Sequence, residues 1–191
     1  MDRTRVIRAL NALMAIVFMG IITSAFYQEF FKHELPCPLC YLQRLGMVGV
    51  SIGALMNLRF GVRVSHYAIS LLSAFFGGAV AIRQICLHIC PGFPVFGYPV
   101  FGLSLYTWSF LSFASALFAI IILLFLYSSK DKAPLKENWL DYLAYFAVSV
   151  IILLNIIATL WQCGIGPCQD VPWPQGYTAP DTTAIAAIYI R

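Results

Sequence analysis

The sequence predicts an all-α integral membrane protein of one domain, with five transmembrane helices. Two observations predict it. Of the 191 residues, 61% are hydrophobic and only 10% charged, well beyond the roughly 45–50% apolar content of soluble domains. Five apolar runs, joined by connections too short for a soluble part, each approach the about 20 residues that a helix needs to cross a bilayer. The runs lack the apolar/polar alternation of membrane strands, and a backbone in lipid must satisfy its own hydrogen bonds, so helices are the structure they can form.

The first run, "VIRALNALMAIVFMGIITSAFY" over 6–27, is preceded or opened by Arg3, Arg5 and Arg8. It has the basic flank of a signal peptide, but it is long and no Ala-x-Ala-type cleavage site follows, so it is read as a retained span. The second run is 40–58 and the third 65–85, joined by Arg59 and Arg63; both are interrupted by polar residues. The fourth, 103–127, and the fifth, 139–161, flank Lys130, Lys132 and Lys136. If every run spans, these basic groups fall on one side, which the positive-inside rule makes the cytoplasm. Three segments then lie outside: 28–39, 86–102 and the C-terminal tail 162–191. The net charge of +4 is scattered between runs rather than massed on one face, which excludes a nucleic-acid-binding protein.

All six cysteines lie in or beside the external segments, as Cys37 with Cys40, Cys86 with Cys90, and Cys163 with Cys168. Six cysteines buried merely as small hydrophobes would be spread through the runs. A zinc site of two Cys-x-x-Cys motifs is not present, since only the first pair has that spacing, and haem attachment would need His where Tyr41 stands. No metal ligands are therefore assigned. "CGIGPC" carries Gly and Pro in a turn compatible with a bridge, so Cys163 and Cys168 are candidates for a structural disulfide. A bridge between Cys37 and Cys40 would close too small a loop to restrict the unfolded chain much. Exchange is the better use for such a pair.

In "LPCPLCYLQRLG", residues 35–46, Pro38 suits the first helical turn. Cys37 then sits at the cap, and Cys40 and Arg44, four apart, share a face. The helix N-terminus and the guanidinium both stabilise a Cys40 thiolate. An arginine at this depth needs water, a partner or a polar ligand, and is by default a functional residue. A thiolate beside a cation at the membrane edge is a place where electrons can pass between sulfur and a lipid-soluble acceptor.

These residues resemble a known family. "PCPLCYLQR" is similar to the motif of DsbB-type disulfide-generating membrane proteins, and the resemblance is read over runs one to four. It implies a four-helix transmembrane bundle, to which the fifth run adds a further helix, in the bacterial cytoplasmic (inner) membrane. It further implies electron transfer from a periplasmic thioredoxin-fold, DsbA-like oxidase to a quinone, either ubiquinone or menaquinone. In that reading Cys37 exchanges disulfides, Cys40 forms the thiolate facing the quinone ring and Arg44 holds or polarises it. The family's second pair sits on a long loop between spans three and four, where this chain has the tight "CLHIC". Cys86 and Cys90 are the preferred second redox pair, and Arg83 and His88 beside them are candidates for holding a thiolate or a quinone oxygen. Two other readings are an enzyme similar to vitamin K epoxide reductases and a membrane protein that captures soft metals through thiolates.

Overall fold

The computed structural model describes residues 3–31, 37–89, 99–127 and 138–163. They form five helices: α1 (Arg3–Phe31), α2 (Pro38–Phe60), α3 (Val64–Ile89), α4 (Leu105–Leu126) and α5 (Trp139–Cys163). All five contain stretches long and apolar enough to cross a membrane, so this is a multi-pass membrane protein. Each predicted run became a helix, and two ends moved by a full turn, the others by at most three residues. α1 continues past residue 27 and carries Gln28 and Glu29, which the hydropathy reading had placed outside. α3 continues past residue 85, so Cys86 and His88 stand on its last turns rather than in a loop. Gln28 and Glu29 follow the first run, and Cys86 and His88 lie beyond the third, but helical hydrogen bonding continues through both segments.

α2 begins with Pro at its first position, where a missing N–H costs nothing, and Cys37 caps it in extended conformation (φ −75°, ψ 159°). It stops at Gly61, whose φ of 81° favours glycine. α2 and α3 then run antiparallel in close contact, because small residues face each other. A Cβ on Gly46 would stand 3.0 Å from the Gly77 Cα, and one on Gly53 would stand 2.7 Å from the His66 carbonyl oxygen. Ser70 Oγ fills the remaining space and donates to the Val50 carbonyl at 3.0 Å. In lipid, where apolar side chains gain little by leaving the solvent, such backbone proximity is what holds helices together. α4 packs on α3 and sends Phe113, fully buried, to Phe18 of α1 at a ring-centroid distance of 5.9 Å. It is entered through a tight turn at Phe101 and Gly102, closed by paired backbone hydrogen bonds between Val100 and Leu103.

Polar side chains pin the end of the bundle where the Arg-bearing termini lie, here termed the basic end. Asn11 Nδ2 of α1 donates to Tyr67 Oη of α3 at 2.9 Å, and Asn57 Nδ2 of α2 donates to Asn11 Oδ1 at 3.1 Å. Asn57 Oδ1 in turn accepts from the Arg63 backbone N–H and pairs with His66 Nδ1, both at 3.1 Å. The network is buried and orients α1, α2 and α3 together, since a polar group left unpaired in hydrocarbon is costly.

α5 lies against α1 and α2, parallel to α1. Its apolar side chains Ala144, Val148, Ile151 and Ala158 join the same buried cluster as Phe26, Met47 and Val48. Arg8 Nε donates to Asp141 Oδ2 at 2.9 Å, and Arg8 Nη2 meets the same oxygen. Asp141 Oδ2 also accepts the Asn138 backbone N–H at 2.8 Å and so caps its own helix. Breaking one side of a buried pair leaves an uncompensated charge. Asp141→Asn should therefore lower unfolding stability by about 3–5 kcal/mol, while Arg8→Met combined with Asp141→Leu should recover most of the loss. Reversible unfolding in mixed micelles, followed by tryptophan fluorescence, checks both; an unchanged Asp141→Asn variant would mean that α5 is held by other contacts.

Candidate redox site at the N-terminal end of α2

The cap of α2 brings its two cysteines together. Cys40 N–H donates to the Cys37 carbonyl at 2.9 Å, so the chain has already turned when the second sulfur appears. The two Sγ atoms stand 2.8 Å apart. A disulfide needs about 2.05 Å, which a small side-chain rotation supplies. Cys37 is buried and Cys40 partly so. A hydrogen bond with Cys40, followed by burial, holds the Cys37 thiol above its ordinary range. In the reduced pair the proton therefore stays on Cys37, which leaves Cys40 as the acceptor sulfur.

One turn further along, Arg44 is 5% exposed. Its Nη2 lies 2.8 Å from Glu29 Oε2 of α1. The guanidinium also sits over the Phe26 ring, 4.6 Å from the centroid, and 5.5 Å from that of Tyr41. Arg44 thus has the protein partner that its depth demands, and the sequence reading did not name it. The signal was present: Glu29 is an acid placed eight residues before Cys37, just where the first apolar run was judged to end. Two further donors of the same guanidinium, Nε and Nη1, are buried with no hydrogen-bond partner among the described residues.

A second residue missed by the sequence reading is Gln84 of α3. Its Nε2 donates to Cys37 Sγ at 3.3 Å and to Cys40 Sγ at 3.7 Å. Its Oε1 accepts from Gln43 Nε2 of α2 at 2.6 Å. Both amides are buried inside apolar runs, where each needs a partner; the sequence shows that need but not that the two meet.

The other predicted site residues are disposed differently. His88 Nδ1 lies 2.7 Å from the Gln84 carbonyl, and its ring stacks on Tyr106 of α4 at 4.9 Å, so it braces the helix bearing Gln84. Arg83 and Cys86 are exposed on α3. Cys90 and Cys168 lie outside the described residues, and of Cys163 only the helical backbone is described. Among the described residues no group of three His, Cys, Asp or Glu side chains converges as metal ligands. An apolar groove between α2 and α3, lined by Leu45, Gly49, Ile52 and Phe76, includes none of these site residues.

The state of Cys37 is testable. Because the thiolate is the reactive form and each unit of pKa changes its fraction about tenfold, Cys37 should be alkylated at least about tenfold more slowly in the reduced wild type than in Cys40→Ala between pH 7 and 8. Removing Cys40 removes the hydrogen bond that holds the proton. Peptide mass spectrometry after timed iodoacetamide labelling reads the rates, and equal rates would contradict the assignment of the proton to Cys37.

Comparison with known proteins places this geometry. Residues 7–96 match the family model described as Disulfide bond formation protein DsbB. The Disulfide bond formation protein B of Burkholderia pseudomallei (strain K96243) is 38% identical over 90 residues, 45% of this chain and 53% of that relative. That of Cupriavidus necator is 34% identical over 85 residues (44% and 53%), and that of Marinobacter nauticus 38% over 89 residues (44% and 52%). The chain spans about half the length of the curated relatives it matches. No solved structure gives a significant match. The matched region ends at residue 96 and so takes in α1, α2 and α3 but not α4, one run fewer than the motif-based resemblance was read to cover. Over those three helices and the Cys37 cap, which together carry Cys40, Arg44, Glu29 and Gln84, the chain is similar to the DsbB family.

Proposed function

We propose that this protein is a quinone-dependent thiol oxidoreductase, which regenerates a periplasmic thioredoxin-fold, DsbA-like disulfide oxidase and passes the electrons to ubiquinone or menaquinone. The observation that carries the reading is the juxtaposition, one helical turn apart, of a close cysteine pair and a buried arginine with two unpaired N–H donors. Donors of that kind fit the carbonyl oxygen of a neutral ring in an apolar setting, because such an oxygen accepts hydrogen bonds without bringing a second charge to be neutralised. Arg44 and the rings around it would hold such a group. When bound, a quinone supplies a two-electron, two-proton acceptor.

The chain's own part is thiol chemistry. In the oxidised protein Cys37 and Cys40 share an S–S bond. A dithiol in exchange with it gives up two electrons and two protons, acquires the disulfide and leaves Cys37 and Cys40 as thiols. The pair then re-forms its S–S bond and releases two electrons and two protons to the acceptor. Cys37 keeps its proton until that stage, and the helix N-terminus at Cys40 favours negative charge on the second sulfur. Cys86 and Cys90 form the intermediate dithiol that meets the soluble partner in this proposal, supported by the exposure of Cys86 at the same end of the bundle. Cys163 and Cys168 staple the tail. The arginines at the basic end orient the chain with its N-terminus in the cytoplasm and the cysteines at the periplasmic face of the inner membrane.

Reconstitution with a reduced thioredoxin-fold oxidase and a short-chain ubiquinone or menaquinone tests the proposal. Cys40→Ser should abolish quinone reduction while the protein remains folded, and wild-type turnover in that variant would sink the assignment. Arg44→Met paired with Glu29→Gln leaves no buried charge, so it should fold yet reduce quinone about 10- to 100-fold more slowly, the effect of losing a charged hydrogen bond of about 1.5–3 kcal/mol. Unchanged kinetics would show Arg44 to be structural. Replacing Cys86 and Cys90 together by Ser should block oxidation of the soluble dithiol but leave Cys37 and Cys40 reactive toward quinone; a mixed disulfide trapped on Cys163 or Cys168 would instead put α5 in the relay.

A further inference from the structure

Neither the electron relay nor the quinone-holding arginine uses Gln84, although it is the side chain most tightly joined to both sulfurs. It is 1% exposed, and every polar atom of its amide has a place. Nε2 faces Cys37 and Cys40, while Oε1 accepts from Gln43 Nε2. Its backbone carbonyl is held by His88, which is stacked on Tyr106. The direction of the amide follows from the chemistry of the sulfurs. Turned the other way, it would press a carbonyl oxygen against a sulfur carrying negative charge.

Such an arrangement treats the two redox states differently. A thiolate is a strong hydrogen-bond acceptor and a disulfide sulfur a weak one, and the difference is larger where water is absent. N–H donors fixed beside the pair therefore stabilise the reduced form more than the oxidised form. We propose that Gln84, held in register by Gln43 as a positioning residue, raises the reduction potential of the Cys37/Cys40 couple and so makes its disulfide the stronger oxidant. This inference rests on reading Cys37 and Cys40 as the redox pair. The equilibrium concerned is disulfide plus two reduced glutathiones giving the reduced pair plus one glutathione disulfide: two electrons pass from glutathione to the pair, one proton stays on Cys37, and the second is released to solvent to the extent that Cys40 is a thiolate.

The full chain, purified in detergent, is equilibrated in glutathione buffers of graded ratio and quenched with acid. The redox state of the peptide holding Cys37 and Cys40 is read by differential alkylation and mass spectrometry. Gln84→Leu should shift the equilibrium about tenfold toward the disulfide, ~30 mV for a two-electron couple. Gln43→Leu should shift it in the same direction by less, and should add nothing in the Gln84→Leu background. Gln84→His, which keeps a ring N–H donor, should recover most of the shift. Should Gln84→Leu not fold, Gln84→Met, which has a similar length and no N–H donor, should move the ratio the same way. Folded variants whose ratio stays within twofold of wild type, or a Gln43→Leu effect that persists without Gln84, would overturn the inference. A wild-type pair that never oxidises overturns the redox reading and this inference together, whereas a wild-type pair that cycles with quinone while the variants keep its ratio overturns this inference alone.

Discussion

A buried arginine in lipid constrains everything near it. Arg44 cannot stay charged in hydrocarbon without a counter-charge, and the chain supplies one by extending α1 a further turn, until Glu29 stands 2.8 Å from the guanidinium. That contact fixes the register of α1 against α2 at the cysteine end, as the Asn11 and Asn57 contact does at the basic end. With α1 and α2 fastened at both ends, α3 is set by the small-residue seam along α2, and α4 follows through Phe113 against Gly77. The position of Gln84 beside the sulfurs is a consequence of that seam. Shifting α3 by one residue along α2 would carry its amide away from Cys37 and Cys40.

The cysteine pair needs to be close without being locked, and the cap of α2 meets both needs. Cys37 lies before the helix and is held by backbone turns rather than by a side-chain cap bond. Cys40 lies inside the first turn, where the free N–H groups of the helix favour negative charge. The same local geometry would make a poor structural staple, for the loop it closes is small. Position and chemistry therefore suit the pair to exchange rather than cohesion, as the proposed function requires.

Much of this was legible in the sequence and some was not, for physical reasons. The five helices followed from hydropathy, and the placing of Cys37 at the cap followed from Pro38. Arg44 was recognisable as a residue needing company, because a charge at that depth is costly wherever it occurs. Its companion was marked only by its place at the end of the first run, since Glu29 lies on another helix and hydropathy treats an acid as the end of a run rather than as half of a pair. Gln43 and Gln84 were hidden for the same reason: the seam that brings them to 2.6 Å depends on Gly46, Gly53 and Ser70, whose meaning appears only when two helices are packed. The role of the other four cysteines was the least legible, because pairing depends on loop paths, and Cys90 and Cys168 lie outside the described residues.

Pairing Arg44 with Glu29 also changes what the arginine can do for sulfur. An isolated cation acts on a thiolate through a field that falls with the first power of distance, whereas a close ion pair presents a dipole whose effect falls faster. Glu29 therefore takes from Arg44 some of the long-range pull that the Cys40 and Arg44 spacing implies when read from one helix alone. What remains available from Arg44 is directional: Nε and Nη1 still point N–H bonds that can grip a neutral oxygen. The charge on the sulfur is then balanced by nearer and uncharged groups, the helix N-terminus and the Gln84 amide. Under the proposed function, the site divides its work between a guanidinium suited to holding a ligand and amide N–H groups suited to holding a thiolate. Because the guanidinium is neutralised by Glu29 and the amides are uncharged, both can operate at the edge of hydrocarbon without the desolvation cost that a free cation beside the sulfur would bring.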